Sequence, residues 1–309
     1  MAGRAPSPIR LLGASIRGFM DDDCPSMAAA LSYYTVFSLP PLLVLLLLLL
    51  GALVSPEDIQ GTLEAQLRSL MGPAGSEQIR TILAHAHRPR GGTLAVVLGV
   101  GALVIGATGV FGQLQAALNK AWRVAPDPQK GGIRPFLFKR VFSLGMVLGL
   151  AFVLLVSLVL SAALSAFGDS LAHFLPAGVS ASVLEAVNFA ISLAVITLLF
   201  AAIFKVLPDA IIAWADVWIG AIFTALMFVG GKFLLGIYLG HSNPGEAFGA
   251  AGALALTFVW IYYSSMIVLF GAEFTQTWAV QRGKGIKPER GAVRVELERH
   301  MVGPPQSAE

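Results

Sequence analysis

Six stretches of this chain stay apolar for the length a bilayer demands, and the polar residues are gathered into the segments between them. A helix crossing the hydrocarbon core needs about 20 mostly apolar residues. The qualifying stretches are Ala28–Val54, Thr93–Phe111, Val141–Phe167, Val183–Val206, Ala213–Leu239 and Phe248–Phe270. Apolar residues run almost unbroken from Met27 to Val54, too far for the core of a cleaved signal peptide, so this segment is read as a retained first helix. The pattern predicts an all-α membrane protein with about six transmembrane helices.

The segments between the spans carry their own periodicity. Ile9, Leu12, Ile16 and Phe19 or Met20 recur at helical spacing with Arg10 and Arg17 off that stripe, which predicts a short helix lying on the membrane interface. In the loop from Ser55 to Gly91, Ile59, Leu63, Leu67 and Leu70 form one helical stripe, and Ile79, Ile82 and Leu83 begin another. Gly72-Pro73-Ala74-Gly75 breaks them, predicting an external helical hairpin. A basic helix is expected over Gln113–Val124, ended by Pro126-Asp127-Pro128. The chain therefore divides into an N-terminal segment (1–26), a transmembrane domain (27–278) and a polar tail (279–309) that is partly disordered toward its end.

Composition narrows the class. Of 309 residues, 56% are hydrophobic and 13% charged, with a mean hydropathy of +0.76. Soluble domains carry roughly 25% charged residues, so a soluble globular protein is excluded. The net charge of +3 does not point to nucleic acid, because the basic residues sit at the edges of the spans. Sixteen of the 21 Lys and Arg fall on the side of both termini, four fall in the first loop, and Lys232 lies inside a span. The richer side is expected to be cytoplasmic, which places both termini there. A single cysteine, Cys24, rules out an intrachain disulfide.

Few residues carry candidate chemistry. Pro40 and Pro41 interrupt the first span just after Ser32, Tyr33, Tyr34, Thr35 and Ser38, so a kinked helix lining a polar cavity competes with a packing kink whose hydroxyls bond nearby backbone. Lys232 is either a snorkelling anchor or a cationic site for an anionic ligand, with Glu185 as its ion-pair partner and Asn188 one turn deeper. Glu273, at the inner end of the sixth span, is either a cation or proton site or an interfacial carboxylate paired with a loop cation. Lys205, Asp209, Asp216, Trp214 and Trp218 are read as an elbow along the membrane surface, with the tryptophans as interfacial anchors. Small-residue spacings at Gly145/Gly149, Gly236/Gly240 and Gly245/Gly249 predict close helix packing. His85 and His87 have no obvious third metal ligand, and no phosphate loop, nucleophile elbow or zinc-hydrolase motif is present. No cofactor, metal or enzymatic activity is expected.

Three motifs in order carry a family resemblance. Met27–Leu43 (MAAALSYYTVFSLPPLL) resembles the first-helix signature of the YihY/BrkB family of bacterial inner-membrane proteins. Thr108–Trp122 (TGVFGQLQAALNKAW) resembles its second motif, and Phe248–Leu254 (FGAAGAL), running on through Trp260–Ser265 to Gly271–Phe274, resembles its third. Pro40 stands where the family has an apolar or aromatic residue, and Phe248 where tyrosine is common. The resemblance implies a six-helix protein of the inner membrane. Members have been described as transporters, as a virulence or serum-resistance factor and, formerly, as ribonuclease BN. The expected function is a permease, flippase-like toward a lipid or another amphiphilic or anionic substrate, with Tyr33, Tyr34, Glu185, Asn188, Lys232 and Glu273 as substrate-binding residues. The alternative is a non-transporting scaffold that works through the external hairpin. Expected partners are the bilayer, such a substrate and a second copy of the chain in a homo-oligomer, with no nucleic acid.

Overall fold

Proline at the first helical position lacks only a hydrogen bond that a helix start does not make, and the chain uses this at Pro8 to open α1 (Pro8–Asp21). The computed structural model describes residues 7–50, 109–128, 179–241, 252–282 and 285–295, without the side chains at 39–50, 179–185, 188, 238–241 and 253. The external hairpin, the third span and nearly all of the second lie outside the described residues.

Beyond α1 come α2 (Cys24–Leu50), α3 (109–121), α4 (Val179–Val206), α5 (Trp214–His241) and α6 (Gly252–Gln281). Among the described residues three helices are long and apolar enough to cross a membrane, over Phe189–Val206, Trp214–Ile237 and Leu254–Gln281. Large apolar side chains such as Phe189, Leu198, Leu226, Phe233, Leu234 and Leu254 stand exposed on them. A surface of that kind is stable only against lipid.

α6 is the hub, packed against α1, α2 and α5. It meets α5 antiparallel through an interlock of glycines and threonines. A side chain at Gly220 would collide with Thr275, and one at Gly271 with Thr224. Thr224 and Thr275 each donate a 2.7 Å hydrogen bond back to the carbonyl four residues earlier, of Gly220 and Gly271 respectively, so the hydroxyls are satisfied within their own helices. Three turns on, Gly231 sits against the ring of Tyr263. Small residues let the backbones approach where no hydrophobic force drives helices together. The close approach falls at Gly220, Gly231 and Gly271; a Cβ at Gly236 would meet nothing within 4 Å, and the surroundings of Gly240 lie outside the described side chains. Gly145/Gly149 and Gly245/Gly249 lie outside the described residues.

α1 resolves its two apolar stripes. Leu11, Ser15 and Phe19 are buried, and Phe19 meets Phe270 of α6 edge-on at 5.7 Å. Ile9, Leu12, Ile16 and Met20 are exposed, beside exposed Arg10 and Arg17. The stripe expected to lie on the interface is therefore free to do so, with Met20 rather than Phe19 as its end.

Two small antiparallel sheets close one end of the bundle. β1 (Val124–Pro126) pairs with β4 (Ala292–Arg294), and β2 (Ala210–Ile211) with β3 (Lys287–Pro288). The basic helix therefore ends at 121, short of the expected Val124. Arg123 takes a left-handed φ of 54°, which terminates the helix, and Val124 is drawn into a strand by the returning tail. The start of the tail is folded, while residues 296–309 lie outside the described residues.

A carboxyl cluster and an open cleft at the end of α3

The turn between α1 and α2 places Asp22 and Cys24 against the inner face of α6. Asp22 and Glu273 are both 1% exposed, and Cys24 is fully buried. The Glu273 and Asp22 side chains are in hydrogen-bonding contact, and the Cys24 thiol lies 3.9 Å from Glu273 Oε1. A side chain at Gly18 would press on Glu273 Oε2, so α1 can only lie this close because that position is glycine. Among the described residues, Asp22 Oδ2 is buried without a hydrogen-bond partner. Burial, with the Glu273 and Asp22 carboxyls beside it, pushes the Cys24 thiol up, ahead of the apolar run that starts at Ala28.

Two cations flank this cluster from the end of α3. The charge of Arg123 reaches Glu273, and that of Lys120 reaches Cys24. α3 is pinned there by the Trp122 indole, whose Nε1 donates to the Ala272 carbonyl at 2.9 Å and whose ring meets Phe204 edge-on. Loss of a bond of this kind costs about 0.5–1.5 kcal/mol.

On its other side the end of α3 borders a cavity of about 510 Å³, lined by Gln115, Asn119, Lys120, Arg123 and Asp209 among others. Asp209 is held from two sides. Gln115 Nε2 and Asn119 Nδ2 donate to its carboxylate at 3.2 and 2.9 Å, and its own backbone N–H donates to Asn119 Oδ1 at 2.9 Å. The neighbouring elbow is equally fixed, with Lys205 Nζ donating to the Ile212 carbonyl at 2.6 Å and lying over the Trp214 ring. Trp214 and Trp218 are exposed, as membrane-interface anchors are.

Of the residues singled out from sequence for substrate binding, Tyr33, Tyr34, Lys232 and Glu273 have described side chains, and these stand on different parts of the bundle. Tyr33 and Tyr34 are about half exposed on α2, packed edge-on against each other, and Tyr34 covers Gly109 of α3. Ser32, Thr35 and Ser38 donate to carbonyls of their own helix at 2.7 to 3.0 Å. Lys232 is exposed beside exposed Phe233 and Leu234. The α5–α6 register puts Lys232 about ten residues, roughly 15 Å, from the level of Glu273. Glu185, Asn188, Pro40 and Pro41 have side chains outside the described residues. Among the described side chains of that set, only Glu273 lies in the cluster. Asp22, Cys24, Lys120, Arg123, Asn119 and Asp209 join it or the cleft without having been singled out together. The legible signal was the Gly112, Ala116, Lys120 and Arg123 face of α3, small residues leading to two cations on one side of a helix.

Comparison with known proteins agrees with the membrane architecture. The chain is 28% identical over 294 residues to a UPF0761 membrane protein of Pseudomonas aeruginosa strain PAO1, covering 92% of this chain and 68% of the relative. A UPF0761 membrane protein of strain LESB58 is 29% identical over 82% of this chain and 59% of its own length. One from Psychromonas ingrahamii is 26% identical over 83% of each. The chain thus spans about three fifths to two thirds of the Pseudomonas relatives. No solved structure matches. The family model described as virulence factor BrkB matches residues 15–295, and this multi-pass membrane protein belongs to that family.

Proposed function

We propose that the chain is a permease of the bacterial inner membrane that moves an amphiphilic anionic substrate, and that Asp22 and Glu273 form its proton-exchanging pair. The observation that carries this reading is the burial of both carboxyls at one end of an apolar bundle, held by contacts between α1 and α6. Ionisable groups inside a membrane bundle are costly, and those that persist mark substrate or proton pathways. In this reading, both carboxyls being charged at once puts two like charges in contact beneath α1. Their repulsion loosens α1 from α6, and reprotonation closes it again. The expected cytoplasmic position of the termini gives the pair access to cytoplasmic protons.

The test is reconstitution in liposomes, following movement of fluorescent phosphatidylglycerol between leaflets at acidic and alkaline pH. Wild type should move the lipid faster than empty vesicles, with a rate that depends on pH. Glu273→Gln keeps a donor toward Asp22 but releases no proton, and should flatten that dependence. Wild type no faster than protein-free vesicles would sink the permease reading in favour of the scaffold.

A further inference from the structure

The cleft beside α3 is open, so its chemistry is not explained by the buried pair. Its charged lining is two cations, Lys120 and Arg123, against one carboxylate, Asp209. Asp209 is already bonded to the Gln115 and Asn119 amides, whereas Lys120 and Arg123 are exposed. One turn and two turns before Lys120, on the same face, stand exposed Ala116 and Gly112, which leave a shallow apolar furrow. Asp209 lies in the connection that leads into the exposed Trp214 and Trp218, so the cleft sits at the depth where a bilayer meets water.

The backbone of Arg123 carries a second indication. It occupies the left-handed position that ends α3, with its N–H on the Lys120 carbonyl and its own carbonyl accepting from Val295 N. Glycine is the usual residue at such a helix end, because a side chain there is strained. Strain of this kind persists where the side chain serves a purpose. Here it aims a guanidinium at the cleft, and guanidinium groups suit the paired oxygens of phosphate.

We propose that this cleft binds the phosphate group of a membrane amphiphile through Lys120 and Arg123, with its acyl chain lying along Gly112 and Ala116. The site stands whether or not the protein transports. Identifying its ligand with the cargo would rest on the permease reading above.

The test measures binding of dioleoyl phosphatidylglycerol to the purified full chain by native mass spectrometry. Competitors are dioleoylglycerol, which has the chains without the phosphate, and inorganic phosphate. Lys120→Ala and Arg123→Gly should each weaken phosphatidylglycerol binding about tenfold, the scale of losing one charge-assisted contact. Arg123→Gly relieves the strained backbone, so its loss of binding would not come from misfolding. Arg10→Ala removes an exposed charge from α1 and should change affinity less than about twofold, in keeping with a weak surface charge effect. Equal losses in Arg10→Ala, unchanged binding in either cleft variant, or full competition by dioleoylglycerol would overturn the proposal. Inorganic phosphate competing as well as the lipid would overturn the amphiphile assignment. A silent transport assay with binding intact would leave this site standing and remove only the permease.

Discussion

Gly220 and Gly271 are places where one methyl group decides the packing of two helices. Each meets a threonine of the opposite helix at a distance that leaves no room for a Cβ. Gly220→Leu or Gly271→Leu should destabilise the protein by about 1–3 kcal/mol, the range for overpacking a tight interface. Unfolding in detergent would measure it. Combining Gly220→Ala with Thr275→Ala should recover part of the loss of the single glycine variant, because the collision is between those two residues. Equal, additive losses would show that they do not touch. Cys24 is a second residue-scale probe. Being buried, with its thiol pushed up, it should resist maleimide even at mildly alkaline pH, where an ordinary thiol near 8.5 ionises. Deprotonation is the step that alkylation needs, so its labelling should stay far slower than that of a free thiol at every pH up to that value.

At the scale of elements, α1 and the returning tail are the parts most exposed to test. α1 lies on α6 through Phe19, with Leu11 and Ser15 buried on the same helix, and through the absence of a side chain at Gly18. Gly18→Leu should lift it and open Cys24 to maleimide, while the circular dichroism of the remaining helices stays unchanged. Unaltered labelling would mean that Cys24 is shielded by α2 and α6 alone. The tail contributes β3 and β4 and one wall of the cleft. Truncation before Ile286 should preserve the helical spectrum and lower the melting temperature, since β1 and β2 lose their partners and Ile286 leaves the core. No such strands were legible in the tail. Its residues are polar with glycine and proline, and strands only two or three residues long carry too few alternations to register as a period.

For the whole molecule, the distribution of Lys and Arg predicts the orientation in the membrane. A cysteine placed at Ser307, in a Cys24→Ser background, should be labelled from the cytoplasmic side, and one at Ser69 from the opposite side. Labelling of both from one side would contradict the five crossings, an odd number, expected between them. The same scale separates Lys232 from Glu273. Lys232, exposed among lipid-facing residues, fits an anchor, and Lys232→Ala should leave the pH dependence of any transport intact. Abolished transport in a normally expressed Lys232→Ala protein would restore it to the substrate path.

What this chain's residues determine by themselves is the solvent each segment needs. Long apolar runs, a scarcity of charge and basic residues at the span edges are local properties, and from them follow the membrane class, the helices and the amphipathic face of α1. The family motifs are legible for the same reason, being contiguous strings. Tertiary structure alone decides which polar residues meet. Asp22 and Glu273 are 251 positions apart, and nothing local to either shows that α1 folds back onto the C-terminal half of α6. Asp209 reaches Asn119 across 90 positions, and the tail adds Val295 to the cleft by returning to pair with the strand after α3. Helix periodicity tells which face is apolar, but in a membrane that face may turn to lipid or to protein at similar cost. The choice rests on a few glycines whose neighbours no single segment reveals.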